Sequence, residues 1–246
     1  MKPHFSIALL LAMLCVCSAT AQINRSYNGE GNNLTNPKWG ATHTNQIRIT
    51  SNAYADSMSA PAGMNRMNAR AISNSLMDQP NAAPSYLGLS DYWWSFGQLI
   101  DHDLTLVPDD TSEFFPIMVP MGDPVFDSAG TGTQMIPMFR SMHDTLTGHS
   151  TNDPRLSINS ITSWLDASCV YGSDSVRAFW LRSGVDGRLK VSANDLLPFN
   201  TVTGQLNDPI DLTAPEMANE NPNITKFFVA GDLRANEQPS LTCLHT

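Results

Sequence analysis

The sequence predicts a mainly α-helical chain, on three observations. Residues 91–103 carry apolar side chains at helical spacing behind a capping serine, Ser90. A second segment, residues 173–182, begins at the capping Ser173 and closes at Gly184. A proline, Pro239, stands where the first turn of a last helix would begin. The 246 residues are 41% hydrophobic and include 5 Trp, 10 Phe and 5 Tyr, enough for a core and too much for a disordered chain.

Taken in order, residues 1–21 read as a secretory signal. Lys2 is the one early charge, residues 7–16 are apolar, and Ala19-Thr20-Ala21 has the small-x-small pattern of a cleavage site. The apolar run is shorter than the roughly 20 residues needed to span a bilayer. Residues 22–59, rich in Asn, Gly and Thr, read as an extended looping arm. Within residues 61–77, Met64, Met67, Ile72 and Leu76 recur at helical spacing, and prolines at 80 and 84 follow. Residues 107–158 hold many Pro, Gly, Asp and Thr and predict a long irregular connection with at most short strands, a length that points to a function nearby. Phe227-Phe228-Val229-Ala230 reads as a short buried run.

Charge narrows the function. With 14 Lys+Arg against 23 Asp+Glu the net charge is −9, and no basic run occurs, which argues against nucleic acid and against an anionic membrane surface. No later segment is apolar enough to span a membrane, so an exported, soluble protein is expected. Of 4 Cys, Cys169 and Cys243 remain after the signal; they could pair or stay as free thiols.

Three segments could carry chemistry. On a helix, Gln98, Asp101 and His102 share one face, while Asp103 points well away from Asp101. A solvated polar face is the plain alternative, but the helix is otherwise aromatic and aliphatic, so its polar cluster is expected to be buried and employed. In the second segment, side-chain oxygens of Thr162, Asp166 and Ser168, with the Trp164 carbonyl between them, could converge on a hard cation such as Ca²⁺ or merely cap a turn. In the third, Arg234 and Glu237 ahead of the last helix either form a surface ion pair or enter a pocket.

Together these segments resemble the animal-type heme peroxidase family, the group of myeloperoxidase, lactoperoxidase and peroxinectin. The resemblance lies in strings that stand in the family's order: Arg25-Ser-Tyr-Asn-Gly, Gly31-Asn-Asn-Leu, Pro37-Lys-Trp-Gly40, Arg70-Ala-Ile-Ser-Asn74, Gly97-Gln-Leu-Ile-Asp-His-Asp-Leu-Thr105, Asp166-Ala-Ser-Cys-Val-Tyr-Gly-Ser173 and Gly231-Asp-Leu-Arg-Ala-Asn-Glu-Gln-Pro239. It implies an animal heme peroxidase fold, with hydrogen peroxide and a small reducing substrate as reactants. His102 becomes the distal acid/base and Arg234 the cation that stabilises charge as the O–O bond breaks. Gln98 would hydrogen-bond a distal water or halide. Asp101 and Glu237 match the carboxylates that form ester links to heme b, and Asp103 would join Thr162, Trp164, Asp166 and Ser168 around a structural Ca²⁺.

The resemblance has two departures. Gln238 stands where myeloperoxidase has a heme-bonded methionine. The family's proximal histidine has no counterpart here, since His43, His143, His149 and His245 read as surface or core residues. The resemblance therefore implies that residues 22–246 are the distal-side, N-terminal part of a peroxidase domain, inactive alone, from an active parent. Its rivals are a non-catalytic secreted adhesion or matrix protein that has lost heme, and a Ca²⁺-stabilised secreted module.

Overall fold

A computed structural model describes residues 25–63, 65–219, 221 and 223–246. The expected signal, residues 1–21, lies outside them, as does Met64. Five α-helices are described: α1 (Ala69–Leu76), α2 (Tyr92–Leu104), α3 (Ser168–Tyr171), α4 (Ser175–Trp180) and α5 (Pro239–His245). Three two-stranded antiparallel ladders accompany them: β1 (Thr44–Asn45) with β6 (Ile158–Asn159), β2 (Asp109–Phe114) with β5 (Phe139–Ser141), and β3 (Ile117–Met118) with β4 (Met135–Ile136).

This corrects the mainly α expectation: helix accounts for 19% and strand for 12%. The physical reason is the density of Asp, Asn and Thr in the connections, whose side chains satisfy backbone donors locally and so compete with helix and ladder. One carboxylate oxygen of Asp56 accepts from the amides of Met58, Ser59 and Ala60. Asp123 accepts from Val125 and Phe126, and Asp127 from Gly122, Thr131 and Gly132. Residues 107–158 thus form short hairpins and turns, as their composition suggested.

The helices end where local chemistry says they should. α1 starts at Asn68, whose Oδ1 accepts from Ala71 N and whose Nδ2 donates to Met118 O, so the cap also ties α1 to β3. One turn apart on α1, Arg70 and Asn74 both bind the buried Asp123, the guanidinium at 2.7 and 3.1 Å and the carboxamide at 2.8 Å. The helix within residues 61–77 is therefore shorter than the region of apolar spacing. Ser90 Oγ accepts from Tyr92 N at the start of α2, and extended Thr105 ends it. Asp174, one residue past the expected Ser173, caps α4 through Arg177 N. Pro239 occupies the first turn of α5 as predicted, behind a Gln238 cap to Ser240 N.

The apolar core gathers Trp180 and Leu181 with Met217, Val229, Ala230 and Ala235, so the run at residues 227–230 is a core element. Arg177 of α4 crosses this core and donates to the Ala230 and Glu216 carbonyls. Cys169 is buried, Cys243 is exposed, and both are free thiols. No helix among the described residues is long and apolar enough to cross a membrane.

Helix α2 reverses the usual amphipathicity: of the polar cluster expected to be buried, His102 is buried, Gln98 half-buried and Asp101 exposed. Its aromatic residues Tyr92, Trp93, Trp94 and Phe96 are exposed, whereas Ser95, His102 and Asp103 are buried. The polar stripe is the one covered, by α5 and α3: Ser95 Oγ meets Ser240 Oγ at 2.8 Å and accepts from Gln238 Nε2.

Two glycines permit the close approaches around this stripe. Gly40, at φ +74°, leaves no room for a side chain, because a Cβ there would lie 2.5 Å from Trp164 Nε1. A Cβ on Gly231 would lie 2.4 Å from Ser168 O and 2.6 Å from Cys169 C, so only glycine lets this strand of chain lie against α3. Gly231→Ala is expected to destabilise the protein by about 1–3 kcal/mol through overpacking, read as a lowered midpoint in urea unfolding; an unchanged midpoint would show that the α3 backbone yields freely.

Candidate active site

Helix α2 delivers two consecutive side chains to two different places. Consecutive helical residues diverge by about 100°, and here His102 turns toward α5 while Asp103 turns toward α3.

Asp103 binds the start of α3. Its Oδ1 accepts from Cys169 N (3.1 Å) and Ser168 Oγ (3.2 Å), and Oδ2 accepts from Ala167 N (3.1 Å). Ala167 itself is left-handed, at φ 62°, which turns these amides toward the carboxylate. Thr162 Oγ1 bonds Asp166 Oδ1 at 3.1 Å and Ser168 Oγ at 3.3 Å. Asp103, Thr162, Asp166 and Ser168 therefore form one oxygen cluster. Trp164 lies in the same bend, its indole against Gly29 and Gly40 and its Nε1 buried without a partner. Burial, with the Asp103 charge nearby, raises the Asp166 carboxyl above its ordinary range. Among the described residues neither carboxylate has a salt-bridge partner.

On the other side, His102 is 2% exposed. Its Nδ1 lies 3.4 Å from His245 Nε2 and 3.7 Å from Asp232 Oδ1, and its Nε2 is 4.0 Å from Glu237 Oε2. Gln98 Nε2 donates to the same Glu237 carboxylate at 2.7 Å. Arg234 is gripped by Asp232 in a two-pronged pair, Nε to Oδ1 at 2.9 Å and Nη2 to Oδ2 at 2.8 Å. Its Nη2 also donates to Thr105 O (2.9 Å), and Nη1 reaches Asp101 Oδ2 at 3.5 Å. Gln98, Asp101, His102, Arg234 and Glu237 are thus joined, through Asp232, in one network of contacts.

Burial pushes the His102 imidazole down to about 4, with Arg234 and His245 adding to the effect against the attraction of Asp232. His245 is lowered for the same first reason, so both rings are neutral at pH 7. Burial alone would raise Asp232, but its bonds to Arg234 hold it below the ordinary carboxyl range. Burial raises the Cys169 thiol to about 12, which leaves it inert.

The sequence profile of the animal haem peroxidase family matches residues 24–246. The chain belongs to that family. It is 32% identical over 221 residues to dual oxidase 1 of Rattus norvegicus, covering 89% of this chain and 14% of that protein. To peroxinectin A of Dictyostelium discoideum it is 31% identical over 252 residues, covering 96% and 44%. Among solved structures, peroxidase A from Dictyostelium discoideum superposes with a TM-score of 0.77 at 29% identity, over 92% of this chain and 44% of that one. The animal haem peroxidase chain thus spans less than half the length of each of these relatives.

Membership in this peroxidase family implies heme. The donor set suits one: Asp101 and Glu237 present carboxylates that are 53% and 37% exposed, on either side of a buried imidazole and a guanidinium. A separate group, Asp110, Glu113 and His143, brings one potential ligand atom from each within 4.8 Å. Glu113 is already bound by Arg155 Nη1 at 2.8 and 2.7 Å and by Arg140 at 3.3 Å. Two guanidiniums beside it oppose a further cation, and the group serves to tie β2 to β5.

Sequence reasoning passed over Asp232 and His245. Asp232 lies within the Gly231–Pro239 segment, where nothing in the spacing marks it out. His245 was assigned to surface or core; it is core, and the available signal was its i, i+4 spacing from Leu241, the buried face of α5. Asp232→Ala leaves Arg234 without its counter-charge beside His102, and a loss of about 3–5 kcal/mol is expected on breaking such a pair. Equilibrium denaturation measures it; a loss under 1 kcal/mol would mean that solvent already screens the pair.

Proposed function

We propose that the cluster around His102 is the distal side of a peroxidase site, at which hydrogen peroxide is reduced and a halide, thiocyanate or small organic donor is oxidised. The observation that carries this reading is the linkage of Gln98, Asp101, His102, Arg234 and Glu237, from two segments far apart in sequence, into one cluster. Bound heme supplies the iron and the two-electron chemistry of peroxide reduction.

The chain's own residues handle protons and charge. Neutral His102 accepts a proton from peroxide at Nε2 and returns it to the departing oxygen. Arg234, its guanidinium held by Asp232, stabilises the negative charge that builds as the O–O bond breaks. Gln98 would orient a small polar ligand, and Asp101 and Glu237 are the carboxylates that would hold the heme. Export rests on residues 1–21.

The oxygen cluster is read as a structural Ca²⁺ site, with Asp103, Thr162, Asp166, Ser168 and the Trp164 carbonyl as ligands. A buried carboxylate, Asp103, and a half-buried one, Asp166, without a salt-bridge partner and joined by the Thr162 and Ser168 hydroxyls, support a hard ion, although the Ala167, Ser168 and Cys169 amides already bind both. With Ca²⁺ a hundredfold above its Kd, chelation should remove about 2.7 kcal/mol, a fall in Tm of roughly 5–10 °C for a chain of this size. Asp103→Asn should abolish the difference; a Tm indifferent to chelator would remove Ca²⁺ from the site.

For the catalytic reading, the full-length protein is expected to show a Soret band and peroxide-dependent dye oxidation. His102→Ala should lower that oxidation by roughly 10²–10⁴-fold while heme stays bound, and Arg234→Ala should also lower it severely. Wild-type activity in either variant would overturn the site assignment. A folded full-length protein that takes up no heme would favour the adhesion or matrix reading.

A further inference from the structure

A second imidazole lies on the Nδ1 side of His102. His245, the last residue of α5, is fully enclosed, with its ring centre 5.7 Å from that of His102. Both of its nitrogens are engaged: Nε2 lies 3.4 Å from His102 Nδ1, and Nδ1 lies 3.1 Å from the Cys169 carbonyl oxygen.

The order of donors along this line is fixed from its backbone end. A carbonyl oxygen only accepts, so the single proton of a neutral His245 sits on Nδ1, and its Nε2 offers a lone pair. The proton between the two rings must then belong to His102 Nδ1. The opposite order would set two lone pairs against each other at His245 Nδ1 and Cys169 O, in a site closed to water. Asp232 favours the same order, since its buried Oδ1 lies 3.7 Å from His102 Nδ1 and attracts an N–H there rather than a lone pair; Glu237 Oε2, 4.0 Å from Nε2, pulls the other way but is farther, partly solvated and already bound by Gln98.

We propose that His245 is a positioning residue that holds His102 in the Nδ1–H tautomer, leaving Nε2 as the free base on the side of Glu237. The meaning of this for catalysis rests on His102 being the proton acceptor for peroxide; the tautomer itself requires neither heme nor peroxide. A leucine at position 245 would continue the apolar face set by Leu241, so packing alone gives no reason for a histidine bonded at both nitrogens.

Long-range ¹H–¹⁵N correlation spectra of the full chain, labelled at histidine, tell protonated from bare ring nitrogens. The expected result is a protonated Nδ1 and a bare Nε2 on both His102 and His245. His245→Leu should shift His102 toward the Nε2–H form, and His245→Gln, whose Oε1 can accept from Nδ1, should restore it. In the heme-loaded full-length protein, His245→Leu should slow the reaction with peroxide by about 10–100-fold, the usual cost of losing a group that orients a functional histidine, with heme content unchanged.

An Nε2–H tautomer in the wild-type chain overturns the proposal without any variant. So does a His245→Leu protein with native near-ultraviolet circular dichroism and an unaltered His102 tautomer. Full activity in His102→Ala would instead overturn the assignment of the base, while leaving the measured tautomer order standing.

Discussion

The peptide unit at Cys169 holds the two halves of the site in register. Its N–H donates to Asp103 Oδ1, and its carbonyl oxygen accepts from Asp232 N at 3.0 Å and from His245 Nδ1 at 3.1 Å. One buried residue therefore ties the end of α2, the segment bearing Arg234 and the end of α5. Hydrogen bonds to a buried carboxylate such as Asp103 contribute roughly 1.5–3 kcal/mol each, and Asp103 accepts from Ala167, Ser168 and Cys169 together. Because His102 follows Asp101 and precedes Asp103 on a rigid helix, fixing Asp103 on α3 also fixes the direction of His102. The oxygen cluster and the imidazole are two faces of one constraint.

That constraint explains why α2 buries its polar side. A helix in a small domain ordinarily turns its apolar stripe inward, and the aromatic residues at positions 92–96 would satisfy that rule. Here the inward stripe is Ser95, His102 and Asp103, each bonded to a partner on α5 or α3 or to the Arg234 segment. Burying polar groups costs little when their bonds are made. The exposed Trp93 and Trp94 are what this choice leaves over.

Much of this was legible in the sequence because it is local. The grouping of Gln98, Asp101 and His102, the divergence of Asp103, the Pro239 start of α5 and the buried run at 227–230 all follow from periodicity and capping. The helical content was overestimated because Asp56, Asp123 and Asp127 settle their neighbours' amides within a few residues, and such turns leave no periodic trace. Asp232 and His245 were missed for a different reason. Their roles exist only through contacts with residues such as Cys169 and His102, 76 and 143 positions away from His245, and no spacing rule encodes a pairing of that range.

Asp232 also resolves an electrostatic conflict at the centre of the site. A carboxylate 3.7 Å from His102 would, alone, favour a protonated imidazole and so disarm a base. It is occupied on both oxygens by the Arg234 fork, which cancels most of its field and adds a cation to the same neighbourhood. Burial then decides the balance, and His102 stays neutral. The same fork fixes the guanidinium, leaving Nη1 directed at Asp101. On the proposed reading the pair would thereby meet two requirements of proton-coupled chemistry: a base that is neutral before reaction, and a positive charge in place where negative charge would develop.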